Sequence, residues 1–418
     1  MPDKFYKKYV RIPPNESVDI RNIIPIIHHP LFQRLLHIFQ LGSNLGVFPG
    51  ASHNRFEHAL GVYSKTGQFC DRLAREGFIS DYQAKNTALF GLLHDIGHGP
   101  FSHVIEELTP VDHDKNGFKI VGLLKKEIEE CGGDFKFIQS LFGRKNDIHK
   151  IVTDKNMGMD KLDYLDRDVY HTGFGPRPDI KSVSDYLSFI DGNLVIDKKS
   201  LEAAKQTQKM YQYMYKEFYL HKSSQINQRF LEKMIAVWMR LDDIDPGKLW
   251  LMNDYELLAH IYKHDNSDIQ FMYQCFKNRN LPKTGLVIRL KDRQSKERIS
   301  GKKIKVIGEE KAFFDNFAEH SSFKLLEKLE TLIGAEIAVE PNKIIVVPMI
   351  SSWRFVPEDI LYHDAGTIFS LKKTHPEHFN GMRSDSDDYM AIRVCVIGDR
   401  ELIYKNANNI HKLLKNIT

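Results

Sequence analysis

From Pro30 to about Arg240 the apolar residues recur mostly at helical spacing. In HPLFQRLLHIFQLG, Leu31, Leu35, Ile38 and Phe39 form one stripe that stops at Gly42. NRFEHALGVYSKTGQFCDRLARE continues the pattern with Phe56, Leu60, Tyr63 and Phe69. SDYQAKNTALFGLLHDIGHG opens on the cap residue Ser80 and runs out at Gly97, Gly99 and Pro100. The stretch from Leu201 to Leu241 predicts one long helix or two in series. Beyond about residue 280 the period changes, and TGLVIRL, KIKVIG, KIIVVPMI and AIRVCVIG read as strands. The pattern therefore predicts a mainly α protein: a helical core over 1–240 and a smaller α+β C-terminal lobe over 241–418.

At 418 residues, with 42% apolar and 27% charged residues, the composition is that of a soluble globular protein. A net charge of +4 does not single out nucleic acid as a partner, although it does not hinder anionic ligands. The basic run between Lys283 and Lys305 has few interleaved aromatics and reads as a solvated surface. Cys70, Cys131, Cys275 and Cys395 are scattered with no C-x-x-C pair, which argues against a disulfide scaffold or a thiolate zinc site. The N-terminus has no apolar h-region and no apolar run approaches a bilayer span, so no membrane association is expected and the location reads as cytoplasmic.

One segment does not fit a plain core. LFGLLHDIGHGPFSH, Leu89 to His103, sets His94, Asp95, His98 and His103 against a leucine run. An unpaired buried polar group costs roughly 1–3 kcal/mol, so these residues need compensation. His94 and Asp95, joined by His58 on an earlier helix and Asp160 entering a later one, make a mixed imidazole–carboxylate set. Such a set suits a divalent ion such as zinc, iron, manganese or magnesium. Singly, each has a plainer reading: a hydrogen-bonded core histidine, or for Asp160 a helix N-cap. His98, His103, and His113 with Asp114 beside it, are placed for acid–base work, although loop solvation explains Asp114 nearly as well. Arg55, three residues before His58, and Lys161, next to Asp160, suit an anionic ligand. Tyr164 follows Asp160 by one turn, and Arg167 and Asp168 are expected to pair with each other.

These stretches, with VFPGASHNRFEHALGV, GMDKLDYLDRD and FYLHK, run in order from about Pro30 to Lys222. They resemble the HD superfamily of metal-dependent phosphohydrolases, and within it the deoxynucleoside triphosphate triphosphohydrolases. The resemblance implies that His58, His94, Asp95 and Asp160 hold the metal and that His98 and His113 are catalytic. It implies that Arg55, His103, Lys161 and Tyr164 meet the triphosphate, that Gln40 and Asp168 hold the sugar 3′-hydroxyl, and that Tyr219 packs against C2′. The implied reaction is water attack on the α-phosphorus of a dNTP, in a homo-oligomer (dimer or higher). Three departures stand out. Asp114 replaces the Glu that commonly follows the catalytic His, and Tyr215 stands where vertebrate members have His. VRIPPNESVDIRNII lacks the Asp-Pro-x-His-Gly stretch that leads into their activator site, and no SAM domain precedes it, so a nucleotide activator is expected to act differently here. Two other functions compete: a phosphodiesterase or nuclease on single-stranded nucleic acid or cyclic nucleotides, and a non-catalytic nucleotide-sensing module.

Overall fold

The computed structural model describes residues 8–14, 16–297, 303–350 and 356–416; part of the Lys283–Lys305 basic run lies outside them. The chain forms a mainly helical core and an α+β lobe, as the apolar pattern predicts. Where the sequence reading placed one cut near residue 240, the compact units interleave. The first comprises Met1–Met214, Pro246–Leu257 and Pro357–Pro376; the second comprises Tyr215–Asp245, Leu258–Val356 and Glu377–Thr418.

In the first unit, helix α1 (Arg55–Arg75) packs on α2 (Asp81–Leu93). Phe56 and Leu60 of α1 share a buried cluster with Leu89, Leu92 and Leu93 of α2 and with Phe32, Leu35 and Ile38. Asn54 caps α1 by accepting from the Glu57 amide at 3.0 Å. Ser80 opens α2 in a reciprocal capping box with Gln83. The segment at Pro30 is less helical than predicted: an α-turn, Pro30–Gln33, runs into a tighter turn, Arg34–His37. There the buried Arg34 donates to the carbonyls of Ile96, Trp250 and Met252.

The helical core also carries strands that the pattern did not reveal. Tyr9–Ile12 and Glu16–Asp19 form an antiparallel hairpin. Leu187–Ile190, Asn193–Asp197, Leu361–Asp364 and Thr367–Ser370 form a four-stranded sheet in that order, with Val195 opposite Leu361 in its parallel pair. These strands are only four or five residues long, and the parallel pair that joins the two hairpins of the sheet links residues far apart in sequence. The return of 357–376 to this unit is fixed by Asn156 and Gln208, which donate to the carbonyls of Asp359 (2.8 Å) and Glu358 (2.9 Å).

In the second unit the four predicted strands make one sheet, ordered Lys305–Glu309, Lys283–Leu290, Ala391–Val396, Ile344–Met349. The first two pair in parallel and the others antiparallel. Leu286, Ile288, Ile392 and Val394 turn one face to an apolar layer with Phe314, Leu329 and Ile333. The long stretch from Leu201 resolves into two helices, Leu201–Met214 and Lys222–Leu241, joined through a π-helical turn at Tyr215–Tyr219.

Candidate metal centre and histidine group

All but one of the residues singled out for chemistry lie in the first unit, on three helices and three turns. His58 is one turn into α1 and fully buried; His94 and Asp95 follow the last residue of α2. Asp160 is the second residue of helix α3 (Met159–Thr172), whose N-cap is Gly158, so it is not the cap itself. A Cβ at Gly158 would fall 2.4 Å from the Val152 carbonyl oxygen, so only glycine lets the helix start here.

The four side chains converge. His58 Nε2 lies 3.1 Å from Asp160 Oδ1 and 3.5 Å from Asp95 Oδ2. His94 Nε2 lies 3.3 Å from Asp95 Oδ1 and 3.4 Å from Asp160 Oδ1. Both histidines turn Nε2 inward because Nδ1 is held elsewhere, at 2.8 Å from Asp163 Oδ2 for His58 and 2.8 Å from the Gly91 carbonyl for His94. His94 Nε2 is buried with no hydrogen-bond partner among the described residues. That orphaned nitrogen facing two carboxylates, with the ligand atoms of His58, His94 and Asp95 within 4.8 Å of one another, fits a divalent ion held by nitrogen and oxygen. The carboxylates also act on the imidazoles. Burial opposes charge on His58, but its hydrogen bonds to Asp160 and Asp163 outweigh burial and push its pKa up to about 9. Asp160 is held down to about 2 by His58 and His94, against the cost of its own burial.

A second group sits beside the first and could also hold an ion: ligand atoms of His98, His103, Glu106 and His113 lie within 4.8 Å of one another. His98 and His113 stack with centroids 4.0 Å apart, 12° from parallel. Their approach depends on Gly97, where a Cβ would lie 2.1 Å from the His113 carbonyl oxygen and 2.3 Å from the Gly117 amide. Asn116 closes the junction by donating to the Gly97 carbonyl at 2.7 Å. His98 Nε2 is 3.4 Å from Asp95 Oδ1, which links the two groups.

Glu106, which the sequence reading missed, is the carboxylate that holds His113: Oε1 lies 2.5 Å from His113 Nδ1, and Oε2 lies 3.2 Å from His103 Nδ1. Asp114, expected there, bonds instead to Arg144 (2.9 Å) and stands 3.6 Å from His113 Nε2. The turn carrying Glu106 leaves a strained corner, Phe101 and Ser102, both at positive φ. Asp254 accepts from the Phe101 amide at 2.6 Å and Arg55 donates to Ser102 Oγ at 2.9 Å, which fixes the corner.

The anion-binding candidates are already engaged. The Arg55 guanidinium pairs with Asp95. Lys161 Nζ donates to the Lys155 carbonyl and lies 3.4 Å from the centre of the Tyr211 ring; burial lowers its pKa to about 7. Asp168 pairs with the buried His53 (Nε2 to Oδ1 2.8 Å) rather than with Arg167, which binds Asp163 instead. Gln40 Oε1 is buried with no hydrogen-bond partner among the described residues, and the Gln40 backbone N–H donates to the His53 carbonyl at 3.0 Å. Tyr164 is half-buried on α3. Tyr219 belongs to the π-helical turn of the second unit, its ring edge-on to Tyr215 at 5.0 Å. His53 and Asp163 stand in the quoted motifs, but nothing in their spacing marks them as partners of Asp168 and His58.

Residues 55–168 match the family model for the HD domain, and residues 179–316 that for the HD associated region. The chain thus contains an HD domain at residues 55–168. The clustered histidines and carboxylates lie within that domain. Over 221 residues the chain is 32% identical to the deoxynucleoside triphosphate triphosphohydrolase SAMHD1 homolog of Dictyostelium discoideum, covering 48% of this chain and 42% of that protein. Human SAMHD1, a deoxynucleoside triphosphate triphosphohydrolase, is 33% identical over 216 residues, covering 40% of this chain and 33% of the human protein. An uncharacterised protein of Methanocaldococcus jannaschii is 29% identical over 62% of this chain and 55% of its own length. The matched stretch thus spans about half the length of these curated relatives or less. A solved phosphohydrolase from Bacteroides thetaiotaomicron shares the fold: TM-score 0.72 over 94% of this chain and all of that one, at 22% identity. The four cysteines are free and buried. No helix among the described residues is long and apolar enough to cross a membrane.

Proposed function

We propose that this chain is a metal-dependent dNTP triphosphohydrolase that releases deoxynucleoside and inorganic triphosphate. The observation that carries the reading is the junction of the two groups: the four-residue centre meets the His98–His113 stack through Asp95. His58, His94, Asp95 and Asp160 would hold the ion, which supplies Lewis-acid polarisation and lowers the pKa of water.

The protein's own groups do the rest. His98 is held well below the usual histidine range by burial and then by Arg55 and His113, so it stays neutral and able to accept a proton. His113 is raised: burial opposes its charge, but the Glu106 carboxylate prevails, so it is suited to donate one. Water oxygen bonds to the α-phosphorus as the bond to O5′ breaks. One water proton passes to His98, and O5′ takes a proton from His113 to leave as the 5′-hydroxyl. Arg55 and Lys161 would face the triphosphate once their present partners release them. Gln40, with its open acceptor, and Asp168 would take the sugar 3′-hydroxyl, and His103 and Tyr164 would meet phosphate oxygens. The likeness to two named triphosphohydrolases supports the substrate class.

The test is a product assay with manganese or magnesium, offering each dNTP, each NTP and a short single-stranded oligonucleotide separately. Deoxynucleoside and intact triphosphate from dNTPs alone is the expected result. Cleaved oligonucleotide with untouched dNTPs would replace the reading with a nuclease.

A further inference from the structure

The N-terminal hairpin, Tyr9–Ile12 and Glu16–Asp19, carries none of the motifs behind the HD resemblance, yet it reaches the metal centre through buried charge. Glu16 pairs with Lys65 of α1, and its other oxygen lies 3.7 Å from Arg167 of α3. The carbonyl of Pro13, between the two strands, accepts from Arg167 Nη1. Lys65 and Arg167 both hold Asp163: Lys65 Nζ lies 2.8 Å from Oδ1, Arg167 Nη2 2.9 Å from Oδ1, and Arg167 Nε 3.0 Å from Oδ2. Asp163 in turn accepts from His58 Nδ1.

A helical glycine makes room for this arrangement. Gly61 lies three residues beyond His58, and a Cβ there would fall 2.2 Å from both Arg167 Nη2 and Asp163 Oδ1. An interior helix glycine costs about 1 kcal/mol against alanine. The position is thus kept open for the charged heads, not for helix stability.

We infer that the hairpin tunes ion affinity at His58 by competing with Asp163 for Lys65 and Arg167; the inference rests on the ion reading of that centre, not on the dNTP reading. Asp163 fixes the Nδ1–H tautomer of His58, and the harder it pulls on that proton, the better a donor Nε2 becomes. Lys65 and Arg167 draw charge away from Asp163 and weaken the pull. Glu16 and the Pro13 carbonyl draw those cations back toward the hairpin and restore it. Glu16 and Lys65 are therefore positioning residues with opposite signs. A purely structural brace has no such sign: loss of either member loosens it.

The test uses the full chain stripped of metal and titrated with Zn²⁺ or Mn²⁺ alone against a chelating indicator at fixed pH. Glu16→Gln is expected to weaken the ion's Kd by about 3–10-fold, below the roughly 10–100-fold typical of groups that touch a ligand directly. Lys65→Met is expected to tighten it, and Glu16→Asp to restore most of the loss. Equal affinities in Glu16→Gln and the parent overturn the inference. So does weakening in both Glu16→Gln and Lys65→Met alongside lowered melting temperatures, which would mark a brace only. If Lys65→Met does not fold, Glu16→Gln and Glu16→Asp decide it alone. A parent that takes up no ion overturns the metal reading as well. A parent that binds the ion but turns over no dNTP leaves this inference standing and removes only the substrate class.

Discussion

Both compact units bury charge, but they finish it differently. In the second unit two buried carboxylates, Glu330 and Glu297, are held at both oxygens. Glu330 accepts from Arg229 (2.9 Å) and the Val346 amide (3.0 Å) at one oxygen and from Lys233 (2.8 Å) at the other. Glu297 takes Arg289 and Arg393 on its two oxygens. Each cluster has one anion and two cations, and the Arg229 nitrogens left over lie by the Phe323 ring face. At the metal centre of the first unit the balance differs: Asp95 and Asp160 face two imidazoles with Arg55 as the one fixed cation, and His94 Nε2 is left without a hydrogen-bond partner among the described residues. A closed ion cluster is a brace, whereas buried carboxylates with an orphaned imidazole nitrogen ask for an added cation.

The sharpest way to break that contrast is to remove one member of each. His94→Ala deletes the orphaned nitrogen, and we expect ion binding to collapse and turnover to fall by more than about 10³-fold, with the fold intact. Glu330→Gln leaves Arg229 and Lys233 buried without their anion; it should cost about 3–5 kcal/mol in urea unfolding while ion affinity holds. If Glu330→Gln proves as stable as the parent, or His94→Ala keeps its ion, the distinction between brace and site is wrong.

Glu106 tests whether the histidine group belongs with the open centre or with the closed clusters. It looks closed, since each oxygen serves one histidine, and those two hydrogen bonds hold it well below the usual carboxylate range despite its burial. Glu106→Gln keeps the shape but removes the charge that raises His113. We expect kcat to drop by about 10–100-fold and the alkaline limb of the pH–rate profile, where the donor His113 loses its proton, to move to lower pH, with little change in melting temperature. An unchanged pH–rate profile would leave Glu106 as a structural link only.

How much of this was legible follows from distance along the chain. The helices α1, α2 and α3 were readable because Asn54, Ser80 and the apolar stripes are local signals. The four-residue centre was readable because a His-Asp pair on a leucine helix is costly without a partner. The four strands of the larger sheet were readable as short apolar runs. What hid was non-local: the pairing of Val195 with Leu361, the returns of 246–257 and 357–376, and the partners Asp163 for His58 and His53 for Asp168. Glu106 hid for another reason. It lies in the unremarkable HVIEEL, and only the Gly97–Gly117 crossing brings His113 to it.

Asp254 is a third way of burying a carboxylate and gives the smallest expected effect. Two backbone amides, Phe39 at 2.8 Å and Phe101 at 2.6 Å, bond its separate oxygens and no cation does. Burial pushes its pKa up to about 7, offset only in part by those amides and by Arg55 and Arg34. Because the folded pKa lies above the ordinary value, the folded chain keeps a proton that the unfolded chain releases. Stability from this group is therefore full below about pH 4 and falls by about 1.4 kcal/mol per pH unit as pH rises toward 7. Asp254→Asn removes that slope but turns an NH₂ toward one of the two amides, a loss of about 1–3 kcal/mol. By pH 7 the charge costs the parent about 4 kcal/mol, more than the variant's loss, so the variant should be the more stable protein there, and near pH 5, where the two changes nearly cancel, it should differ little. Urea unfolding of both proteins at pH 5, 6 and 7 isolates the group as their difference. A difference that does not change with pH would mean that Asp254 stays ionised throughout and that the two amides stabilise its charge after all.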